Sequence, residues 1–132
     1  MKPEEIIQWY NERSGLGEIM RKDVGNALWN YLHTLAEWTP PEPARQNQVF
    51  EVVKKNVEVF PCQKCAKHGL EYIEKHPFDP EIGLKDYLWE FHNFINNGLG
   101  KKVYGRDILK QYSVVDHECE ANELIKGCVQ EG

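Results

Sequence analysis

Apolar residues recur every three or four positions along most of this chain, the spacing of helices that bury one face. Ile6, Ile7 and Tyr10 keep that spacing until Gly15 and Gly17 interrupt it, which predicts a short leading helix over about 3–11. Val24, Leu28, Leu32, Leu35 and Ala36 predict a long helix over about 19–37, stopped by Thr39-Pro40-Pro41-Glu42-Pro43. Val49, Val52, Val53, Val57 and Phe60 predict another over about 44–59, the period outweighing the preference of valine for strands. Leu70, Tyr72 and Ile73 mark a third, which must stop before His76-Pro77 because a residue ahead of proline avoids helical geometry. Leu84, Leu88, Phe91 and Ile95 form the core face of a fourth over about 84–97, closed by Gly98 and Gly100, and residues 107–112 suit one more short helix. Every element is helical, so the fold class expected is all-α. The pattern divides the chain into an N-terminal extension (1–18), a helical domain (19–112) and a C-terminal tail (113–132).

Two polar stripes interrupt the apolar faces. Trp29, His33 and Glu37 lie at i, i+4 and i+8, an arrangement that more often marks a core tryptophan beside a hydrogen-bonded histidine than a ligand site. On the fourth helix Trp89, His92, Asn93 and Asn96 share the face next to the core. Uncharged and hydrogen-bonding, that face is poorly suited to solvent and well suited to a polar planar ligand.

A chain of 132 residues matches one domain with a core of its own, and 41% hydrophobic with 28% charged residues is ordinary for a globular protein. The net charge of -5, with no basic stripe, argues against nucleic acid as a partner. No signal peptide follows Met1, and no run of about 18 apolar residues is present to span a membrane, so a soluble, unprocessed chain is expected. Cys62, Cys65, Cys119 and Cys128 are too few for a disulfide-framework miniprotein and point to chemistry or metal.

Phe60-Pro61-Cys62-Gln63-Lys64-Cys65-Ala66-Lys67-His68 is the best candidate for that chemistry. Residues three apart on a helix share a face with Cβ atoms about 5–6 Å apart, close to disulfide range. Pro61 suits the first helical position and would put Cys62 in the first turn, where the positive end of the helix dipole favours a thiolate. A thiolate attacks disulfides and also binds metals, so the motif alone fits either a redox pair or half of a zinc site, with His68, His33, Cys119 or Cys128 completing the latter in a zinc-stabilised interaction module. A thioredoxin-like setting is excluded, because its CxxC would follow a strand.

Three blocks together resemble the Erv/ALR-type FAD-linked sulfhydryl oxidases, particularly their small viral members, over roughly residues 25–112. They are Gly25-x-x-x-Trp29-x-x-x-His33-Thr34-Leu35-Ala36, then Pro61-Cys62-x-x-Cys65-Ala66-x-His68, then His92-Asn93-x-x-Asn96 with Leu99-Gly100-Lys101. The resemblance implies a four-helix bundle with a short fifth helix, FAD bound within it, and a homodimer. It assigns Cys62 and Cys65 as the catalytic pair. Gly25, Trp29, His33, Trp38, Cys65, His68, His92, Asn93 and Asn96 are assigned to the cofactor, with Lys101, Tyr104 and Tyr112 closing the site around its adenine and phosphate end. The activity implied is thiol oxidation. A client dithiol attacks the disulfide at Cys62, expected to be the more exposed, Cys65 faces the flavin, and the electrons reach molecular oxygen to give hydrogen peroxide. No resident metal is implied, and the viral members suggest host cytoplasm or virion ahead of the mitochondrial intermembrane space.

The chain departs from the family pattern at three places. Asn26 stands where arginine is common, and Tyr87 where a tryptophan usually precedes the His-Asn pair. A structural disulfide that many members carry would fall at Trp89 and near Arg106, so a staple of roughly 2–4 kcal/mol is missing. Cys119 and Cys128 read as an electron shuttle on an arm, as a structural or intersubunit disulfide, or as spectators; their separation matches no family motif.

Overall fold

The computed structural model describes residues 1–14 and 18–113, so Cys119, Cys128 and the tail beyond residue 113 lie outside the described residues. The elements are α1 (Pro3–Ser14), α2 (Glu18–Glu37), α3 (Pro43–Glu58), α4 (Gln63–Lys75), α5 (Leu84–Gly98) and a 3-10 helix at Arg106–Tyr112. The chain is all-α, each element falls within a few residues of the predicted span, and no strand occurs among the described residues. No helix among the described residues is long and apolar enough to cross a membrane.

The core joins Leu32 and Ala36 of α2, Phe50, Val53 and Val57 of α3, Tyr72 and Ile73 of α4, and Leu84, Tyr87, Leu88 and Phe91 of α5. Helix α2 packs on α5, α3 on α4, and the 3-10 helix lies against α2 and α5. Val24 and Val52, which share the predicted apolar periods, are exposed instead. Gly69 is what lets α4 approach so closely. A Cβ there would lie 2.5 Å from Val57 Cγ1 and 3.5 Å from Phe91 Cζ.

Helix ends follow local chemistry. α4 stops at Lys75 as the following proline demands, and the His76 ring stacks on Tyr72 at 4.2 Å while Tyr87 Oη donates to the His76 carbonyl at 2.7 Å. Gly83 opens α5 at φ 95°, a backbone region that glycine tolerates best, and it has no side chain to cap the helix. Buried Gln46 of α3 does so in its place: Oε1 accepts from Leu84 N–H at 2.8 Å, and Nε2 donates to the Pro40 carbonyl at 2.9 Å.

Candidate active site

The α3–α4 turn delivers the two cysteines. Cys62 N–H donates to the Phe60 carbonyl at 2.7 Å, and Cys62 is extended, at φ -158° and ψ 104°. It is therefore the N-cap of α4, with Pro61 ahead of the helix; the expected placement of Pro61 at the first helical position and Cys62 inside the first turn is corrected by two residues, to a first helical position at Gln63. The reason is that Cys62 Sγ accepts from Cys65 N–H at 3.3 Å, capping the helix much as a serine oxygen would. The two cysteines form a disulfide with Cα atoms 5.2 Å apart. Their exposure reverses the expected order: Cys62 is half-buried and Cys65 exposed. Capping turns the Cys62 sulfur back onto the first turn, where the unsatisfied amides of α4 favour negative charge once the bond opens.

A second cluster forms where α2 crosses α5. Trp29 stacks on His92 with ring centres 4.1 Å apart and planes 5° from parallel. His33 Nε2 and His92 Nδ1 share a hydrogen bond at 2.9 Å, and Tyr112 lies over His33 at 4.9 Å. Burial first, and then the neighbouring His92, lowers the His33 pKa to about 4; burial and then Lys101 lower that of His92 to about 4 as well. Both rings are neutral at pH 7. His33 Nδ1 is buried and has no hydrogen-bond partner among the described residues, so it can bond a ligand or a water.

The segment after α5 is held by a polar clasp. Asn93 Nδ2 donates to the Tyr104 carbonyl at 2.8 Å, Tyr104 N–H donates to Asn93 Oδ1 at 3.0 Å, and Trp89 Nε1 donates to the same carbonyl at 2.9 Å. Arg106 pairs with Asp86 one helical turn before Trp89. These bonds span the stretch where the missing family staple would fall, so hydrogen bonds and an ion pair tie α5 to this segment in place of a covalent link.

The structure brings Trp29, His33, His92 and Tyr112 into one cluster. Asn96 is buried four residues beyond His92, and its carbonyl accepts from Lys101 N–H at 2.8 Å, which ties exposed Lys101 to the end of α5. Asn93 and Tyr104, both assigned to the cofactor, are bonded to each other. Trp38, just past the end of α2, and His68, on α4, are exposed, and neither ring joins the stack. Gly25 sits beside Phe60, whose Cζ would be 3.8 Å from a Cβ there, so α2 passes close to the approach to the CxxC. One contributor escaped the sequence reading: Asn30 accepts from Tyr112 Oη at 3.3 Å, and its signal was its place one turn before His33. Trp89, read on the ligand face with His92, serves the clasp. Among the described residues no three His, Cys, Asp or Glu side chains gather as a metal site requires.

The donor set fits a flavin. Flat neutral rings provide stacking surface, the orphan His33 nitrogen and the Asn96 amide offer polar contacts, and Lys101 offers a cation for phosphate. Residues 26–114 match the Erv1/Alr family, and the chain belongs to that family. It is similar to the FAD-linked sulfhydryl oxidase ERV1 of Arabidopsis thaliana, 34% identical over 92 residues, covering 67% of this chain and 48% of the plant protein. It is also similar to the FAD-linked sulfhydryl oxidase ERV2 of Saccharomyces cerevisiae, at 32% over 98 residues, 70% of this chain and 50% of that one. A viral relative, the FAD-linked sulfhydryl oxidase of African swine fever virus, is 28% identical over 83 residues, 60% of this chain and 70% of its own. The chain thus spans about half the length of the plant and yeast relatives it matches.

Proposed function

We propose that this chain is an FAD-dependent thiol oxidase that makes disulfides in client proteins. The observation that carries the reading is the Cys62–Cys65 disulfide at the start of α4, with a backbone amide already aimed at sulfur. Trp29, His33, His92, Asn96 and Tyr112 are the residues that would hold the flavin, with Lys101 toward its phosphates. The chemistry FAD supplies when bound is acceptance of an electron pair from the dithiol and its delivery to molecular oxygen, giving hydrogen peroxide.

The protein's own part is thiol exchange. A client thiolate attacks Cys62 Sγ, the Cys62–Cys65 bond breaks, and Cys65 leaves as a thiolate. The second client thiol loses its proton and attacks the client sulfur of the mixed disulfide, expelling the Cys62 thiolate. The client has then lost two electrons and two protons, and the electrons reside on the cysteine pair.

Purified protein should be yellow with a flavin absorbance band and consume oxygen in the presence of dithiothreitol, and Cys65→Ser should abolish consumption while retaining FAD. A colourless preparation containing zinc would overturn the reading in favour of the metal-stabilised module. A homodimer accompanies the proposal, supported by the exposed pairs Val24 and Tyr31 on α2 and Val52 on α3 with Val59 at its C-cap, each at seven-residue spacing. Sedimentation of the flavin-loaded chain tests it. The viral relative supports a setting in infected cytoplasm or a virion.

A further inference from the structure

We propose that a groove between the end of α3 and the outer face of α4 seats the client, and that it selects a segment with an apolar anchor followed by basic residues. This rests on the thiol-exchange reading and names the class of substrate that the reading leaves open.

The groove, about 510 Å³, runs along α4 from the segment that carries the disulfide: Phe60, two residues before Cys62, and Gln63, directly after it, are among its lining residues. Phe60, Ala66 and Leu70 give it an apolar lining, and Glu58, Glu71 and Glu74 give it acid. Glu58 already pairs with Lys55 at 3.0 Å, whereas neither Glu71 nor Glu74 has an ion-pair partner among the described residues. Lys67 lines the same groove one helical turn before Glu71, and its charge favours an attacking thiolate over a thiol. Along α4 the lining is therefore graded, from cationic Lys67 to anionic Glu71 and Glu74, while Glu58 at the α3 end is paired with Lys55.

That gradient fixes the occupant's chemistry. Cys62 and Glu71 are nine residues apart on one helix, roughly 13 Å at 1.5 Å per residue, a span that about four residues of an extended client cover. The matching segment carries a thiol pair, an apolar side chain for Phe60 and Leu70, and Lys or Arg about four residues from the thiol. The chain's own tail fits badly, because Asp116, Glu118, Glu120, Glu123 and Glu131 outnumber Lys126. Like charges set facing each other disfavour that pairing.

The test uses the flavin-loaded full chain and two peptides with the same thiol pair and the same apolar anchor, one with lysines at the fourth and fifth positions beyond and one with glutamates. At low salt, kcat/KM should favour the lysine peptide by on the order of tenfold, and the preference should shrink as salt screens it. Glu71→Lys with Glu74→Lys should invert the preference, Glu71→Gln with Glu74→Gln should abolish it, and circular dichroism confirms that each variant is folded. Glu42→Lys with Glu81→Lys, the same change of charge outside the groove, should leave the preference in place. Equal kcat/KM for the two peptides, or a preference that survives the Glu71 and Glu74 variants, would overturn the proposal. Binding of the same peptides with serine in place of cysteine, followed by fluorescence anisotropy, reads the groove without turnover. A failure to oxidise dithiothreitol would therefore count against the oxidase reading, while the serine peptides would still decide on the groove.

Discussion

Nε2 of His33 and Nδ1 of His92 lie 2.9 Å apart across the α2–α5 contact. One nitrogen must donate and the other accept, so the pair cannot take a proton on both rings and keep this bond. When His33 donates through Nε2, its buried Nδ1 is an acceptor; when it accepts, Nδ1 is a donor. The tautomer of the pair thus sets whether the orphan nitrogen presents a donor or an acceptor.

The same pair makes stability depend on pH. A histidine with its folded pKa lowered to about 4 binds its proton more weakly folded than unfolded, so protonation favours unfolding. Its stabilisation is complete above the unfolded value of about 6.5 and is lost as pH falls from there toward 4. For His33 the loss is on the order of 3 kcal/mol at roughly 1.4 kcal/mol per tenfold change in proton affinity. Urea midpoints should therefore fall between pH 7 and pH 5, and His33→Gln with His92→Gln should flatten the dependence. An equally steep fall in that variant would locate the effect elsewhere.

The clasp around Tyr104 replaces a covalent link with several weak ones, and it should come apart stepwise. Trp89→Phe keeps the ring and removes the donor to the Tyr104 carbonyl, at an expected cost of about 1 kcal/mol. Asn93→Ala removes two bonds to the same residue and should cost more. Hydrogen exchange of Tyr104 N–H should speed up in Asn93→Ala, while the amides of α3 keep their rates. Because no disulfide closes this segment, added reductant should leave those rates unchanged.

Gly69→Ala tests packing against propensity. Alanine in the middle of α4 gains up to about 1 kcal/mol over glycine. Its Cβ would, however, meet the β-branched and buried Val57 at 2.5 Å, and overpacking costs typically about 1–3 kcal/mol. We expect net destabilisation and a melting temperature lower by several degrees, since a domain of this size shifts by about 4 °C per kcal/mol. Val57→Ala in the same chain should recover part of the loss, a coupling that a double-mutant cycle measures.

Most of the architecture is legible in the sequence because the period of Leu28 to Ala36, of Val49 to Phe60 and of Leu84 to Ile95 states which face is buried. The two polar stripes were legible as departures from that period, and the structure joins Trp29 and His33 to His92. Other features depend on contacts between residues far apart in the chain, which no local pattern encodes. Gln46 looks like an ordinary surface residue of α3 until Gly83 leaves Leu84 N–H without a cap. Asn93 sits on the expected ligand face, yet its amide is engaged by Tyr104, eleven residues later. The sequence placed Cys62 inside the helix because the proline signal says where a helix can start, while the sulfur that accepts from Cys65 N–H decides where it does.

That acceptor geometry also bears on which sulfur meets the client, where two arguments oppose each other. Exposure favours attack at Cys65, whereas the free amides at the N-terminus of α4 favour negative charge on the Cys62 sulfur once the pair is reduced. Single-cysteine variants separate the two. A peptide thiol carried as its mixed disulfide with thionitrobenzoate is offered to Cys65→Ser and to Cys62→Ser; the protein thiolate attacks the peptide sulfur, the peptide bonds to the protein, and coloured thionitrobenzoate leaves. Capture should be faster on Cys65→Ser, and the advantage should narrow as pH rises and both thiols ionise. Faster capture on Cys62→Ser would assign the client-facing role to Cys65 and leave Cys62 as the sulfur turned toward the flavin.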